Sequence, residues 1–203
     1  KKIAAAIAAA TATGARLELA VAASTARSEA EATAHRQRII ALLERDDVTA
    51  VTYRLGHAVH IENPWDFAEL VAAAVDAVTE LYVAAAAADT RLLLDVRELR
   101  ELDLAIAVFT DVLEGAGTTV NAGMSVPAAL ADSHDAVRQL AAWAREREAE
   151  APITIRLTDS AGSGAERDEN TLNGWPQPAL AGRVDILAAQ VRGLEALIAA
   201  ENA

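Results

Sequence analysis

Histidine and carboxylate side chains that lie close together are the first candidates for chemistry in this sequence. His57 and His60 are three residues apart and Glu62 follows them, and these residue types bind zinc and other transition metals. The spacing falls in a predicted loop, where nothing in the pattern brings a third ligand towards the two histidines. We therefore interpret them as polar loop residues and predict no metal site.

A glycine-rich segment, SAGSG at residues 160–164, follows a predicted strand and is a candidate phosphate-binding loop. It lacks the Lys-Ser or Lys-Thr ending of a P-loop and the full dinucleotide fingerprint, and Asp159 and Glu166 flank it with negative charge. A flexible turn is the favoured interpretation. Ser133 and His134 are neighbours on a predicted helix, so their side chains point apart and do not form a nucleophile and base pair.

The composition is that of one globular domain. The chain has 203 residues, of which 53% are hydrophobic and 24% charged, enough for a sizeable core. Its formal net charge of −12 argues against nucleic acid or an anionic membrane surface as a partner, because both would repel it. The absence of cysteine excludes disulfides, thiolate metal sites and a thiol nucleophile, and it fits a cytoplasmic protein.

The alanine-rich opening, KKIAAAIAAATATGA, superficially resembles a short signal peptide, but its apolar part is only weakly hydrophobic. Ile3 and Ile7 are four residues apart, which favours an amphipathic helix that ends at Gly14. Charged residues interrupt the most apolar region, between residues 70 and 94, before it reaches the ~18 to 20 residues of a membrane span. We therefore predict no membrane span.

Short apolar segments recur between periodic segments of helical length. Strands are predicted at 16–22, 48–55, 91–96, 118–122 and 153–158, and helices at 28–45, 64–88, 99–114, 126–150 and 180–200. Asn63 is predicted to cap a helix with Pro64 in its first turn, and Gly115 and Gly117 to close the next helix. The repeated strand and helix indicate a parallel α/β fold, either a doubly wound sheet or part of a (βα)8 barrel.

The segment LLLDVRELRELDLAIAVF, Leu92–Phe109, resembles the fourth strand and helix of the proline dehydrogenase barrel, the flavin domain of bifunctional proline utilization (PutA-like) enzymes. Actinobacterial members of that family read close to LDMEEYRDLDLTIAVF here. The segments Val48–Leu70, with Trp65 and Phe67, and Ala151–Gln177, with GWP at 174–176, keep the same register. The resemblance implies one α/β domain over residues 1–203, an incomplete TIM barrel of about six of the eight (βα) units.

The resemblance implies two residues that meet the substrate. Arg54 stands where the family has a lysine that contacts the carboxylate of proline, and Asp95 where it has an aspartate that organises the substrate side of the site. Arginine keeps the positive charge but presents different donors on a larger, planar group. Asp95 taken alone is equally consistent with a helix-capping carboxylate at a strand end.

The resemblance also implies FAD, but the flavin positions are altered. Where the family reads Leu-Gln-Ala-Tyr at the end of its fifth strand, this chain reads AGMS at 122–125, so Gly123 stands in place of the amide. In the next strand Arg156 is retained and Asp159 replaces a lysine. Reversing a charge roughly 4 Å from an anionic flavin group changes the interaction by several kcal/mol even at an effective dielectric of ~20. We therefore predict that Gly123, Arg156 and Asp159 mark a cofactor site that no longer binds FAD.

Two classes of function follow. In the first, the chain is a degenerate proline dehydrogenase-like domain with a structural or interaction role, associated with a glutamate-semialdehyde (pyrroline-5-carboxylate) dehydrogenase. In the second, it is part of an active FAD-dependent enzyme that oxidises L-proline to 1-pyrroline-5-carboxylate. The first is favoured because the residues that define the fold match the family, whereas the residues that would hold the ligands differ from it. The last two (βα) units of the family have no counterpart, so we expect a protein partner or more of a longer chain at the open barrel edge, near Ile153–Thr158 or Val184–Ile198.

Overall fold

Five parallel strands, hydrogen-bonded to one another in chain order, form the centre of the computed structural model. The structure describes residues 2–61, 65–115, 119–147, 151–159 and 164–201. The strands are β1 (Glu18–Ala20), β2 (Ala50–Tyr53), β3 (Arg91–Asp95), β4 (Ala122–Pro127) and β5 (Thr154–Thr158). The helices are α1 (Lys2–Thr11), α2 (Glu29–Leu43), α3 (Leu55–Ala58), α4 (Phe67–Ala87), α5 (Leu99–Gly115), α6 (Ser133–Glu146), α7 (Gly164–Asn173) and α8 (Arg183–Glu201).

The order of the strands decides between the two parallel folds. The sheet runs β1-β2-β3-β4-β5 without reversal, and the long helices α2, α4, α5, α6 and α8 each contact the next. A doubly wound fold would reverse its strand order midway. The predicted run of (βα) units of the TIM-barrel type is therefore confirmed, and the described strands do not close into a barrel.

Strand side chains alternate between two faces of the sheet. One face packs against the helices and contributes Val51, Leu92, Leu94 and Met124 to the hydrophobic core. The opposite face, called the inner face below, is largely polar. It carries Glu18, Ala20, Thr52, Leu93, Asp95, Gly123, Ser125 and Arg156, which the pairing register places side by side.

The apolar helix α4 belongs to the core of the domain. Among the described residues it is the helix long and apolar enough to cross a membrane by length and composition. Val78 and Tyr82 are fully buried, and the hydroxyl groups of Tyr82 and Tyr53 lie 3.1 Å apart. Glu80 accepts a 2.7 Å hydrogen bond from Arg36 of α2. These contacts explain why α4 is so apolar, because it is a core helix of a globular domain.

The number of strands and the position of one strand differ from the prediction. The opening segment is the helix α1, as predicted, followed by a turn in which Gly14 has φ +80°. The described residues contain five strands, whereas the resemblance implied about six (βα) units. The fourth strand begins at Ala122, where the predicted strand ends, and all six of its residues are buried. The prediction treated Gly123 as the end of a strand. The structure instead uses it inside the sheet, where the backbone of Thr154 approaches closely.

Several helix boundaries also differ. The N-cap of α4 is Asp66, whose carboxylate accepts from the Glu69 N–H at 3.1 Å, while Asn63, Pro64 and Gly117 lie outside the described residues. Helix α6 begins only at Ser133 because residues 126 and 127 extend β4. The short helices α3 and α7 were not predicted. The sequence of α7, GAERDENTLN, has no apolar stripe that would indicate a helix.

We expect Gly123→Ala to destabilise the sheet. A Cβ at this position would lie 2.7 Å from the carbonyl oxygen of Thr154 and 3.0 Å from its Cβ, so β4 and β5 must separate. Overpacking of this kind costs about 1 to 3 kcal/mol in the free energy of unfolding, which urea titration measures. Gly115→Ala is the matched control, because a Cβ there meets nothing within 4 Å. Equal stability of the two variants would show that β4 and β5 do not approach this closely.

Candidate functional site

An ion pair joins the two outermost strands across the inner face. Nη1 of Arg156 on β5 donates to both carboxylate oxygens of Glu18 on β1, at 2.7 and 2.9 Å. In a flat sheet these strands would lie roughly 19 Å apart, beyond the reach of the two side chains. The sheet is therefore curved like the wall of a barrel, and its inner side chains converge.

Asp95 lies at the centre of this converging set. Its carboxylate accepts from Ser125 Oγ at 2.5 Å and from Arg97 Nε at 2.7 Å, and it lies 3.7 Å from Nη2 of Arg156. Ser125 Oγ in turn accepts from the Val96 N–H at 3.2 Å, which fixes the chain directly after β3. The carboxylate is almost completely buried. Asp95 therefore holds the carboxyl ends of three neighbouring strands together.

The carboxylate that caps α5 comes from a different element. Glu166 on α7 accepts a 3.1 Å hydrogen bond from the N–H of Leu99, the first residue of α5. Its side chain is buried, and burial together with the negative charge of Glu98 raises its pKa. Glu166 therefore caps α5, and Asp95 does not.

Arg54 follows β2 and points a guanidinium group into a cleft. Nη2 donates to Glu101 Oε1 at 2.7 Å, while Nε is buried without a hydrogen-bond partner. The cleft has a volume of about 300 Å³, and Asp95, Arg97 and His57 line it together with Arg54. It opens at the carboxyl ends of the strands, the side on which TIM-barrel enzymes carry their active sites.

His57 contributes a neutral ring to this cleft. Burial, together with the positive charge of Arg54, lowers the pKa of His57 to about 4. Its backbone carbonyl oxygen lies 2.9 Å from Nδ1 of His35. The described residues contain no group of three histidine, aspartate or glutamate side chains that could hold a metal ion.

Of the residues predicted to contact a cofactor, Gly123 lies elsewhere than expected, whereas Asp159 lies at the end of its strand. Gly123 is the second residue of β4, buried between Leu93 and Thr154, and not at the strand end. The strand ends at Pro127, so the four residues around the strand end are VPAA at 126–129, which also lack an amide and a tyrosine. Asp159 follows β5 directly, is exposed, and makes no hydrogen bond or ion pair with any described residue.

The structure brings part of the predicted site together. Arg54 and Asp95 share the cleft, and Asp95 contacts Arg156. Gly123 lies deeper in the sheet and Asp159 beyond its edge. The two-residue spacing of Thr52 from Arg54 and of Ser125 from Gly123 was a signal for two further residues of the network. The sequence did not identify the residues that complete it: Thr52, Ser125, Glu18, Arg97, Glu101 and Glu166.

We expect a double-mutant cycle to detect the ion pair across the sheet. The variants Glu18→Ala, Arg156→Ala and the double mutant should give a coupling energy of about 0.5 to 1 kcal/mol in urea unfolding, because both side chains remain partly exposed. A cycle of Glu18 with Arg138, which lies on α6 outside any ion pair of the described residues, is the control. Zero coupling between Glu18 and Arg156 would mean that the curved sheet seen here does not persist in solution.

Comparison with known proteins places this geometry in a family. The proline dehydrogenase family model matches residues 3–200. The proline utilization A (PutA) structure from Corynebacterium freiburgense matches 97% of this chain with 27% identity and a TM-score of 0.88, over 21% of its own length. No curated protein sequence matches this chain.

Two further PutA structures share the fold. The protein from Bdellovibrio bacteriovorus inactivated by N-propargylglycine matches 97% of this chain with 16% identity and a TM-score of 0.86, over 23% of its length. A mutant of the Bradyrhizobium japonicum protein matches 91% with 17% identity and a TM-score of 0.80, over 20% of its length. The chain thus spans about a fifth of the length of these structures. With the family model matching almost every residue, the chain belongs to the proline dehydrogenase family, as a domain of the PutA type.

Proposed function

We propose that this chain is a degenerate proline dehydrogenase domain that no longer binds FAD and serves an architectural or interaction role. The observation that carries the proposal is the pairing of the arginines around the inner face. The two arginines of the cleft and Arg156 of the inner face each donate to a carboxylate of the same chain. The six groups balance in charge: Arg54 with Glu101, Arg97 with Asp95, and Arg156 with Glu18.

A site for an anionic ligand needs positive groups that are not already engaged. To bind a substrate carboxylate, Arg54 would have to leave Glu101, with which it forms a 2.7 Å ion pair that is about four-fifths buried. Removing one partner from such a pair leaves an uncompensated charge, which is strongly unfavourable in a buried setting. The inner face is therefore better suited to holding the sheet together than to taking up an anion.

The flavin side supports the same proposal. The carboxylate of Asp159 stands at the end of β5, where the family resemblance implies a lysine. At the end of β4, Pro127 and Ala129 supply neither an amide nor a hydroxyl group. The residues present therefore do not fit FAD.

A domain that catalyses no reaction can still act through contacts with neighbouring polypeptides. Because the related PutA structures are about five times longer than the matched region, we place this domain beside other polypeptide in a cytoplasmic protein of proline catabolism. The partner that fits best is a glutamate-semialdehyde (pyrroline-5-carboxylate) dehydrogenase, which acts on the product of the family's reaction.

Helix α8 provides the surface for such a contact. Gly193 on one side of the helix packs against Leu157 of β5. The other side exposes large apolar residues in the three-four spacing of a helix-packing seam. This surface, called the α8 stripe, consists of Val184 (78% exposed), Leu187 (49%), Val191 (54%), Leu194 (51%) and Ile198 (56%).

The alternative function is an active FAD-dependent proline dehydrogenase domain, and one observation favours it. Nε of Arg54 and Nε of Arg156 are buried without a hydrogen-bond partner, so each guanidinium keeps a donor for a ligand. In that case the cleft beside Arg54 and Asp95 would take up L-proline, and bound FAD would supply the oxidising capacity for its conversion to 1-pyrroline-5-carboxylate.

We expect the purified chain to be colourless, because Pro127, Ala129 and Asp159 replace the groups that would hold FAD. The measurement is the visible absorbance spectrum after incubation with excess FAD and removal of the free cofactor. Asp159→Lys is expected to leave the spectrum unchanged, since it restores only one charge. A flavin spectrum at near-equimolar occupancy, or oxidation of L-proline with an electron acceptor, would replace the first function by the alternative.

We expect the α8 stripe to associate with other polypeptide. Sedimentation velocity of the isolated chain should show concentration-dependent association, and Leu187→Lys with Leu194→Lys should abolish it without lowering the thermal midpoint, because both side chains are about half exposed. Leu172→Lys on α7, at an 86% exposed position, is the control. A monomeric, cooperatively folded wild-type chain with β5 and α8 protected from hydrogen exchange would contradict the interaction role.

A further inference from the structure

A second surface of α8 differs from the α8 stripe in charge and position. Helices α6 and α8 pack together, and a groove of about 580 Å³ runs between them on the outside of the domain. His134, Arg138 and Arg145 line one wall and Arg192 lines the other. We call these four residues with the alanines between them the basic groove.

The three arginines of the basic groove have no carboxylate within ion-pair distance among the described residues. Elsewhere in the fold, Arg36, Arg54 and Arg156 are each bound to a carboxylate. Only Glu195 brings a negative charge into the lining of the groove. The basic groove therefore carries a local excess of positive charge, although the chain has a formal net charge of −12.

The shape of the basic groove fits an extended or helical peptide. His134, Arg138 and Arg145 recur at intervals of four and seven residues, so they lie along one face of α6 over roughly 16 Å. Alanines from both helices form the floor, which lets a second backbone approach closely. All four basic side chains are exposed, so a partner would contact them without rearranging the core.

We propose that the basic groove is a docking site for an acidic polypeptide segment of a partner protein. Complementary charge steers such a segment to the groove and sets its register. A short acidic segment can keep its charge within the groove, whereas a nucleic acid would carry phosphate charge beyond it, where this acidic chain repels it. The site is separate from the cleft and from the α8 stripe, so it does not depend on whether the domain binds FAD.

The test is fluorescence anisotropy of a labelled polyglutamate peptide titrated with the whole chain at low salt. We expect saturable binding that weakens as salt is raised, because the charges are exposed. The triple variant Arg138→Gln, Arg145→Gln, Arg192→Gln should bind roughly tenfold more weakly. The matched control is Arg16→Gln, Arg38→Gln, Arg183→Gln, which removes the same charge from exposed positions elsewhere and should bind like the wild type.

A second variant keeps the test decisive if the triple variant folds poorly. Glu195→Gln removes the negative charge that lines the groove and should tighten polyglutamate binding about twofold. Absence of binding by the wild-type chain, or an equal loss in the control variant, would overturn the proposal. Single-stranded DNA that displaces the peptide at equal charge concentration would overturn it in favour of a nucleic-acid site.

Discussion

The ion pair between Arg156 and Glu18 is the constraint on which the inner face depends. It connects the first and last strands of the sheet through space, with three strands between them. Thr52 of the neighbouring strand β2 donates to the same carboxylate, and Asp95 lies within reach of the same guanidinium. Backbone pairing sets which strands are neighbours, and this side-chain contact is possible only because the sheet bends.

The inner residues also follow the layering of a TIM barrel. In such barrels each interior layer takes its side chains from alternate strands. Glu18, Asp95 and Arg156 come from β1, β3 and β5 and contact one another, whereas Thr52 and Ser125 come from the two strands between. In this chain the layer is charged, with the guanidinium of Arg156 between the two carboxylates. A fold of this kind can keep its architecture while its interior changes from receiving a ligand to compensating its own charges.

The sequence predicted the features that depend on local pattern. Apolar periodicity gave the positions of β2, β3 and α5, and the family resemblance chose the barrel over the doubly wound sheet. The prediction failed for β4 because Gly123 was interpreted as a strand end, when a neighbouring backbone requires glycine inside the strand. It also missed α7, which has no apolar stripe.

The candidate site was also predictable only in part, because its ion pairs join residues that are far apart in the sequence. Arg54, Asp95 and Arg156 were found because the resemblance places them. Their partners were not, because no local pattern links Arg54 to Glu101, 47 residues away, or Arg156 to a carboxylate 138 residues away. Such pairs follow from the curvature of the sheet and the packing of the helices, and these become known only with the complete fold.

The hydrogen bond from Leu99 to Glu166 has a consequence for the order in which the domain is made. The acceptor follows the donor by 67 residues, so at about 5 to 20 residues per second it is synthesised roughly 3 to 13 seconds later. During that interval α5 can form on its apolar face, but its first turn, which carries Glu101, lacks its final anchor. The turn of α5 that pairs with Arg54 therefore gains its last hydrogen bond from a segment that is synthesised after β5.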